Sequence, residues 1–254
     1  MLMRGETMCS TRLLIALLVG VAGCASQQHP LSASAAANLK GRRVTLSARP
    51  PTHLYAYPPD KIGPFAYPPG LMGVAMWNGT RTSAGARIMH DNGIVDPAPF
   101  MAQMVSRGFL HRLGVQPEPQ AIFMTDELPT EIAATHPTAD LILDVRIDSL
   151  ELEPYPRKPS DKPSDQPPKY RLRYEAYLRL IDTKATRSID DKKGAAIAYV
   201  SCQRLPEEEA NAPTYDELLA NGAERLKREI DIAMEYCAKV FQSEVLTANP
   251  PPPQ

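Results

Sequence analysis

No stretch of this chain approaches the roughly 20 consecutive apolar residues that a membrane-spanning helix needs; the longest, within Leu13–Cys24, runs to about nine. Neither charge dominates, with 28 basic residues against 29 acidic ones. That leaves no basic field to attract nucleic acid and no acidic tail. The five histidines, His29, His53, His90, His111 and His136, are scattered and never form the H-x-x-x-H pair of a zinc site. The sequence also lacks G-x-S-x-G, P-loop and glycine-rich fingerprints. The paired acids Asp190-Asp191 and Glu207-Glu208-Glu209 fall in turns, where solvation is their simplest role. With no base, nucleophile and orienter at workable spacing, the expectation is a non-enzyme without metal or cofactor.

What is present begins at the N-terminus. Arg4 and Arg12 precede the apolar run and small residues close it, the pattern of a secretory signal over residues 1–23. Val21-Ala22-Gly23-Cys24 resembles the lipobox of bacterial lipoproteins. The resemblance implies cleavage before Cys24, which then carries a diacylglycerol thioether and an N-acyl chain. Each buried CH₂ contributes about 0.8 kcal/mol, so two or more acyl chains anchor firmly where one does not. Ala25-Ser26 follow, without the Asp of an inner-membrane retention signal. The expected location is therefore the periplasmic face of the outer membrane; an ordinary cleaved signal is the alternative.

The remainder reads as an α/β chain of α+β character, a mixed and largely antiparallel sheet with two main helices on one face. Residues 24–40 are small and polar, a tether. Residues 41–95 form a Pro/aromatic-rich arm with short strands, Arg43–Ala48 being one of them. Its near-repeat places Tyr55 and Tyr57, then Phe65 and Tyr67, before Pro-Pro pairs, which favour polyproline II. These aromatics either dock a partner or glycan, or pack the arm over the domain; the packed arm is the favoured reading. Leu71–Trp77 reads as a buried strand and Asn78-Gly79 as the turn after it.

A globular unit follows over 96–246. Asp96-Pro97 opens a helix with Met101, Met104, Val105 and Phe109 on one stripe, and Gly114 ends it. Gln120–Met124 reads as a short strand and Pro129–Thr135 as a short helix. Leu141, Leu143, Val145 and Ile147 alternate against Asp144, Arg146 and Asp148; the phase flips after Ser149, which predicts a bulge. Pro154–Lys169 is a hydrophilic loop with a Lys-Pro-Ser-Asp tandem. Tyr170–Asp182 is the clearest strand, with Arg171, Arg173 and Arg179 on its polar face, and Ala195–Gln203 returns antiparallel. Thr214 and Glu217 form a capping box that opens a helix to about Val245, striped by Leu219, Ala223, Leu226, Ile230, Ala233, Cys237 and Val240. Residues 247–254 are a Pro-rich tail.

Of the four cysteines Cys9 leaves with the leader and Cys24 is taken by the lipid, so Cys202 and Cys237 remain in a chain sent to an oxidising compartment. Both face the interface between the third strand and the last helix. A disulfide is the default, against a metal pair with no nearby His and a nucleophile with no base. Closing that loop stabilises by about 3–4 kcal/mol.

The order of elements, the phrase TADLILDVRIDSLEL, the strand ending in YLRLIDT and the cysteine-ended return strand resemble bacterial envelope lipoproteins. The likeness, over Asp96–Phe241, is to their periplasmic domains of the penicillin-binding-protein activator and curli-secretion type. Asp144 stands where that pattern has Gly, and Lys184-Ala185-Thr186 replaces the Gly after its Asp-x-x-Thr turn. The resemblance implies a membrane-anchored binding, adaptor or assembly factor in the periplasm, held by its lipid and meeting an envelope protein. A subunit of a secretion or pore complex is the alternative, or a periplasmic hydrolase. The candidate partner surfaces are the Arg171, Arg173 and Arg179 face and the Tyr55, Tyr57, Phe65 and Tyr67 arm.

Overall fold

The computed structural model describes residues 30–59, 71–125, 128–155, 166–184, 196–206 and 211–246, with only the backbone described at 71–77, 109–110 and 246. Cys24, Phe65, Tyr67, the signal and the C-terminal tail lie outside the described residues.

Five helices and seven strands alternate in the order α1 (Ala33–Ala37), β1 (Arg43–Ala48), β2 (Leu54–Ala56), α2 (Leu71–Asp91), α3 (Ala98–Leu113), β3 (Gln116–Pro117), β4 (Ile122–Phe123), α4 (Pro129–Thr135), β5 (Leu141–Pro154), β6 (Tyr170–Asp182), β7 (Ala196–Arg204) and α5 (Tyr215–Leu246) among the described residues. They make an α/β fold on a mixed sheet of order β3-β1-β5-β6-β7. The long ladders β5–β6 and β6–β7 are antiparallel, so the sheet is mostly antiparallel by length. β1 and β2 both run parallel to β5, end to end along one side of it. Pro50 and Pro51 lie between them; proline cannot donate to a ladder, so the chain leaves the sheet there and returns at Leu54.

Strict alternation decides which face is buried against helices. Leu141, Leu143, Val145, Tyr170, Leu172, Tyr174, Leu178, Leu180, Ala198, Val200 and Cys202 point one way and meet Met101 and Val105 of α3 and Leu226, Ile230, Cys237 and Phe241 of α5. The expected bulge sits between Ile147 and Ser149 and returns Leu150 and Leu152 to that same face. On the second face, α4 closes a smaller cluster of Met124, Ile132, Ala139, Ile142 and Ile181 at one end. Asp96 caps α3 by accepting the Ala98 amide at 3.0 Å. Thr214 and Glu217 make the reciprocal capping box of α5, at 2.7 and 3.3 Å. Cys202 and Cys237 are joined, Cα atoms 5.5 Å apart, both inside the main core.

Four features differ from the expectations. Leu71–Trp77 is the start of α2, not a strand, and Asn78-Gly79 lies inside that helix. Short apolar runs do not distinguish the two states, and Asn-Gly is a local signal that an exposed helical turn can also carry. Residues 31–39 do not belong to a tether: Leu31 and Leu39 flank α1 and are buried in the main core. The 41–95 segment is not an arm laid over a finished domain, because β1 and β2 are strands of the sheet itself. Finally, α5 is broken at Ala220–Ala223, where Asn221, Gly222 and Ala223 take φ of 54°, 71° and 59°. The break rotates the first turn, so Leu218 is buried and Leu219 is only half-buried.

Helix α2 covers the outer edge of β2. A Cβ on Gly85 would stand 1.6 Å from the Leu54 carbonyl oxygen, so the helix backbone rests directly on the strand. Covering an edge in this way blocks pairing with a foreign strand.

Candidate binding surface

The second face of the sheet carries the polar residues of β5, β6 and β7. Register places Asp144 opposite Arg179, Arg146 opposite Tyr177, and Tyr199 beside Arg179. Three strands therefore bring an acid, two arginines and two tyrosines into adjoining rows.

Asp144 has no exposed surface, and its oxygens are fully used. Arg49 Nε donates to Oδ1 at 2.9 Å and its Nη2 to Oδ2 at 2.8 Å. Arg179 donates to Oδ2 from Nε at 2.9 Å and from Nη2 at 2.5 Å, and Ser47 Oγ donates to Oδ1 at 2.8 Å. Burial alone pushes this carboxyl upward. The Arg49 hydrogen bond, the charges of both guanidinium groups and the Arg179 hydrogen bond together outweigh it, and the group lies below the usual carboxylate range. The two arginine side chains are themselves less than one-tenth exposed, so two cations share one anion in a desolvated setting.

Next along the face the row opens to solvent. The Tyr177 ring lies between the Arg179 guanidinium, 5.1 Å from its centroid, and that of Arg146, 5.7 Å away. Tyr199 packs against Tyr177 with centroids 6.0 Å apart. Both tyrosines and Arg146 are half-buried, rigid below and accessible above. A cavity of about 240 Å³ adjoins this row, lined by Arg49, Thr52, His53, Tyr55, Arg146 and Asp148. It sits where Pro50 and Pro51 leave the sheet and where β5 bulges.

The arginines singled out from sequence divide. Arg179 is not on an exposed face; it is buried against Asp144, on which Arg49 also closes from the segment after β1. Arg171 pairs with Glu153 at 2.8 Å and lies over Tyr155, 5.1 Å from the ring centroid. Arg173 pairs with Glu175 at 2.6 Å, and burial is outweighed there by the carboxylate hydrogen bond, which raises the arginine further. Tyr55 and Tyr57 flank Arg81 of α2, whose guanidinium lies 5.3 and 4.0 Å from their ring centroids and whose Nη2 meets Glu151 at 3.0 Å. These two tyrosines help to fasten α2 to the sheet.

The polar end of β6 is also structural. Arg42 donates to both oxygens of Asp182 at 2.8 Å and to the Asp140 carbonyl at 2.8 Å, while Thr183 donates to the Ala139 carbonyl. The Asp-Thr pair of the YLRLIDT phrase thus ties the end of β6 to the start of β5. Among the described residues no group of three or more His, Cys, Asp or Glu could hold a metal ion. No described helix is long and apolar enough to cross a membrane.

Sequence reasoning passed over Arg49, Arg146, Tyr177 and Tyr199. Arg146 and Tyr177 were visible as the polar partners of alternating strands; Arg49 carried no signal, because its loop is brought to Asp144 only by the parallel pairing of β1 with β5.

These features define an α/β protein with a mixed sheet, its main helices on one face and, beyond α4, a partly open arginine–tyrosine row on the other. No family model matches the chain, and no curated protein does. Solved structures with some likeness include a PelC dodecamer variant from Paraburkholderia phytofirmans, at 11% identity and TM-score 0.26, covering 88% of this chain and 94% of that one. Another is hypothetical protein CT253 from Chlamydia trachomatis, at 8% identity and TM-score 0.28, covering 82% and 99%. A third is a neuraminyllactose-binding hemagglutinin homologue from Helicobacter pylori, at 11% identity and TM-score 0.29, covering 83% and 86%. Likeness at this level carries no functional argument.

Proposed function

We propose that this chain is a bacterial envelope lipoprotein, lipidated at Cys24 and held at the periplasmic face of the outer membrane, that acts without catalysis as a binding or assembly factor. The leader ending in Val21-Ala22-Gly23-Cys24 supports the anchor. The observation that carries the binding role is the Arg146–Tyr177–Tyr199 row, half-exposed and stiffened from beneath by Arg179 and Asp144. Tyrosine and arginine are enriched among interface hot spots; tyrosine buries a large rigid ring at small entropic cost, and a guanidinium held against a ring is already oriented. Tethering to one leaflet raises the effective concentration toward any envelope protein partner there.

The test is photo-crosslinking in cells from Tyr199 and, as a control, from the exposed His90 at the end of α2. A protein other than this chain crosslinked from Tyr199, absent from His90 and lost in Arg146→Ala/Tyr177→Ala, supports the reading. Equal products from both sites, or products indifferent to those substitutions, refute it. Mass measurement of the N-terminal peptide tests the anchor: an acylated peptide beginning at Cys24 is expected, and an unmodified one overturns it.

A further inference from the structure

We infer that the solvent side of α5 is a two-fold interface between two copies of this chain, a surface that abuts the arginine–tyrosine row at Tyr177 and Tyr199 but rests on α5 and not on what that row binds. Ile232 and Tyr236 stand one helical turn apart on α5 and are 42% and 48% exposed, an adjoining apolar pair on an otherwise polar helix face. They belong to an outer stripe, Arg225, Glu229, Ile232, Tyr236, Lys239 and Ser243, recurring at the three- and four-residue spacing of one helix face. The stripe spans about 27 Å at 1.5 Å per residue.

The order of residues along the stripe names the occupant. Ile232 and Tyr236 lie equally far on either side of Met234, and so do Glu229 and Lys239, and Arg225 and Ser243. An antiparallel copy of α5 related by a two-fold axis at that level sets Ile232 against the other copy's Tyr236, twice. It sets Glu229 against the other copy's Lys239, also twice. An isologous contact requires this kind of self-complementarity, in which residue i meets j and j meets i. No like charges oppose one another across the stripe. Glu229 accepts from Arg204 at 3.2 Å, which holds its carboxylate at the rim, and the Lys239 side chain, 79% exposed, lies 3.9 Å from Glu235 one turn earlier on its own helix.

A second feature of the same side extends the surface. β7 pairs only with β6 among the described residues, and Ala196–Gln203 holds no charge or proline to block an approach. Tyr236 and Val240 of α5 form, with Tyr177, Tyr199 and Gln203 of the sheet, a groove of about 470 Å³ beside that edge. The two-fold copy brings its own Ile232 to the mouth of this groove. A contact built on one helix stripe and a strand edge falls at the small end of stable interfaces, so a weak, concentration-dependent dimer is expected.

The experiment is sedimentation equilibrium of the purified full chain across a concentration series up to about 100 μM, a range that reads micromolar association. The wild type is expected to shift from monomer to dimer. Ile232→Asp/Tyr236→Asp should weaken association at least about tenfold, which is about 1.4 kcal/mol. Glu229→Lys and Lys239→Glu should each weaken it, and the double reversal Glu229→Lys/Lys239→Glu should recover most of the loss, with near-native circular dichroism throughout. Lys239→Glu alone changes an exposed side chain and keeps the test valid if Glu229→Lys disturbs Arg204. A wild type that stays monomeric, a dimer indifferent to Ile232→Asp/Tyr236→Asp and Lys239→Glu, or a double reversal no better than its worse single member overturns the inference.

Discussion

Replacing Asp144 by asparagine keeps the shape of the side chain and removes its charge, and the structure sets the size of the result. Asp144 receives five hydrogen bonds from Arg49, Arg179 and Ser47 with no solvent to compensate. Without the carboxylate, two guanidinium groups remain buried side by side. Breaking a buried pair by removing one partner costs about 3–5 kcal/mol, chiefly because the survivor stays desolvated and unpaired. With two survivors repelling each other, the upper half of that range is expected. At a urea slope of about 2–3 kcal/mol per molar, the unfolding midpoint of Asp144→Asn should fall by about 1.3–2.5 M.

The same variant should show a distinctive pH dependence. The Asp144 carboxyl lies below its ordinary value in the folded protein, so its contribution is fully present above the unfolded value near 4 and is lost as pH falls through the folded one. The stability gap between wild type and Asp144→Asn should therefore be widest near neutrality and narrow in acid. A second variant completes the test: Arg49→Met/Asp144→Leu/Arg179→Met removes all the charges together and should regain most of the loss. A midpoint shift of under about 0.3 M for Asp144→Asn, or a gap that widens in acid, would refute the reasoning.

Three further outcomes follow from the packing. Gly85→Ala forces a methyl into the Leu54 carbonyl and should destabilise by about 3 kcal/mol while exposing β2 amides to hydrogen exchange; Gly79→Ala, which meets nothing within 4 Å in the same helix, should be neutral or stabilise by about 1 kcal/mol in thermal melts. Cys202→Ala/Cys237→Ala opens a loop of sequence separation 35 and should lower stability by about 3–4 kcal/mol in urea titrations; because both sulfurs are buried, the native protein should resist mild reductant until it unfolds. Gly222→Ala should destabilise by about 1 kcal/mol, since its φ of 71° is left-handed and its Cβ meets nothing, so a shift of the opposite sign would mean that α5 is continuous in solution.

The long strands were legible because their alternation runs for nine or more residues with one face buried throughout. β6 matches its expected bounds, and the phase flip beyond Ile147 marks a real bulge. The cystine was legible for a related reason: two periodicities, one of a strand and one of a helix, each turned a cysteine toward the same interface. Asp144 was not legible. Alternation identifies two faces but says nothing about what covers the second, and Arg49 arrives from a loop nearly a hundred residues away in sequence. The same logic hid α2, whose role is to seal β2, a strand of three residues with no pattern of its own. Leu31 and Leu39 were hidden by context: two leucines bracketing an Ala/Ser run look like a spacer until a core exists to receive them.

The break in α5 shows the other limit of periodic reasoning. Leu219, Ala223 and Leu226 keep a three-four spacing that fits an unbroken helix, yet the chain gives up that continuity. The first turn is tied to the start of β6: the Tyr170 amide donates to the Pro213 carbonyl at 2.7 Å, Lys169 bridges to Thr214, and Tyr215 stacks edge-on against Tyr170 at 5.2 Å. The rest of α5 is tied to α3 and β7, where Gln242 donates to the Met104 carbonyl at 3.1 Å and Cys237 is bridged to Cys202. A straight helix cannot serve both anchors, so the direction changes between them through three left-handed residues. Ala223 in that conformation costs about 1–2 kcal/mol, and burying Leu218 offsets a comparable amount. Two long-range constraints, neither local to the stripe, decide the path of the helix.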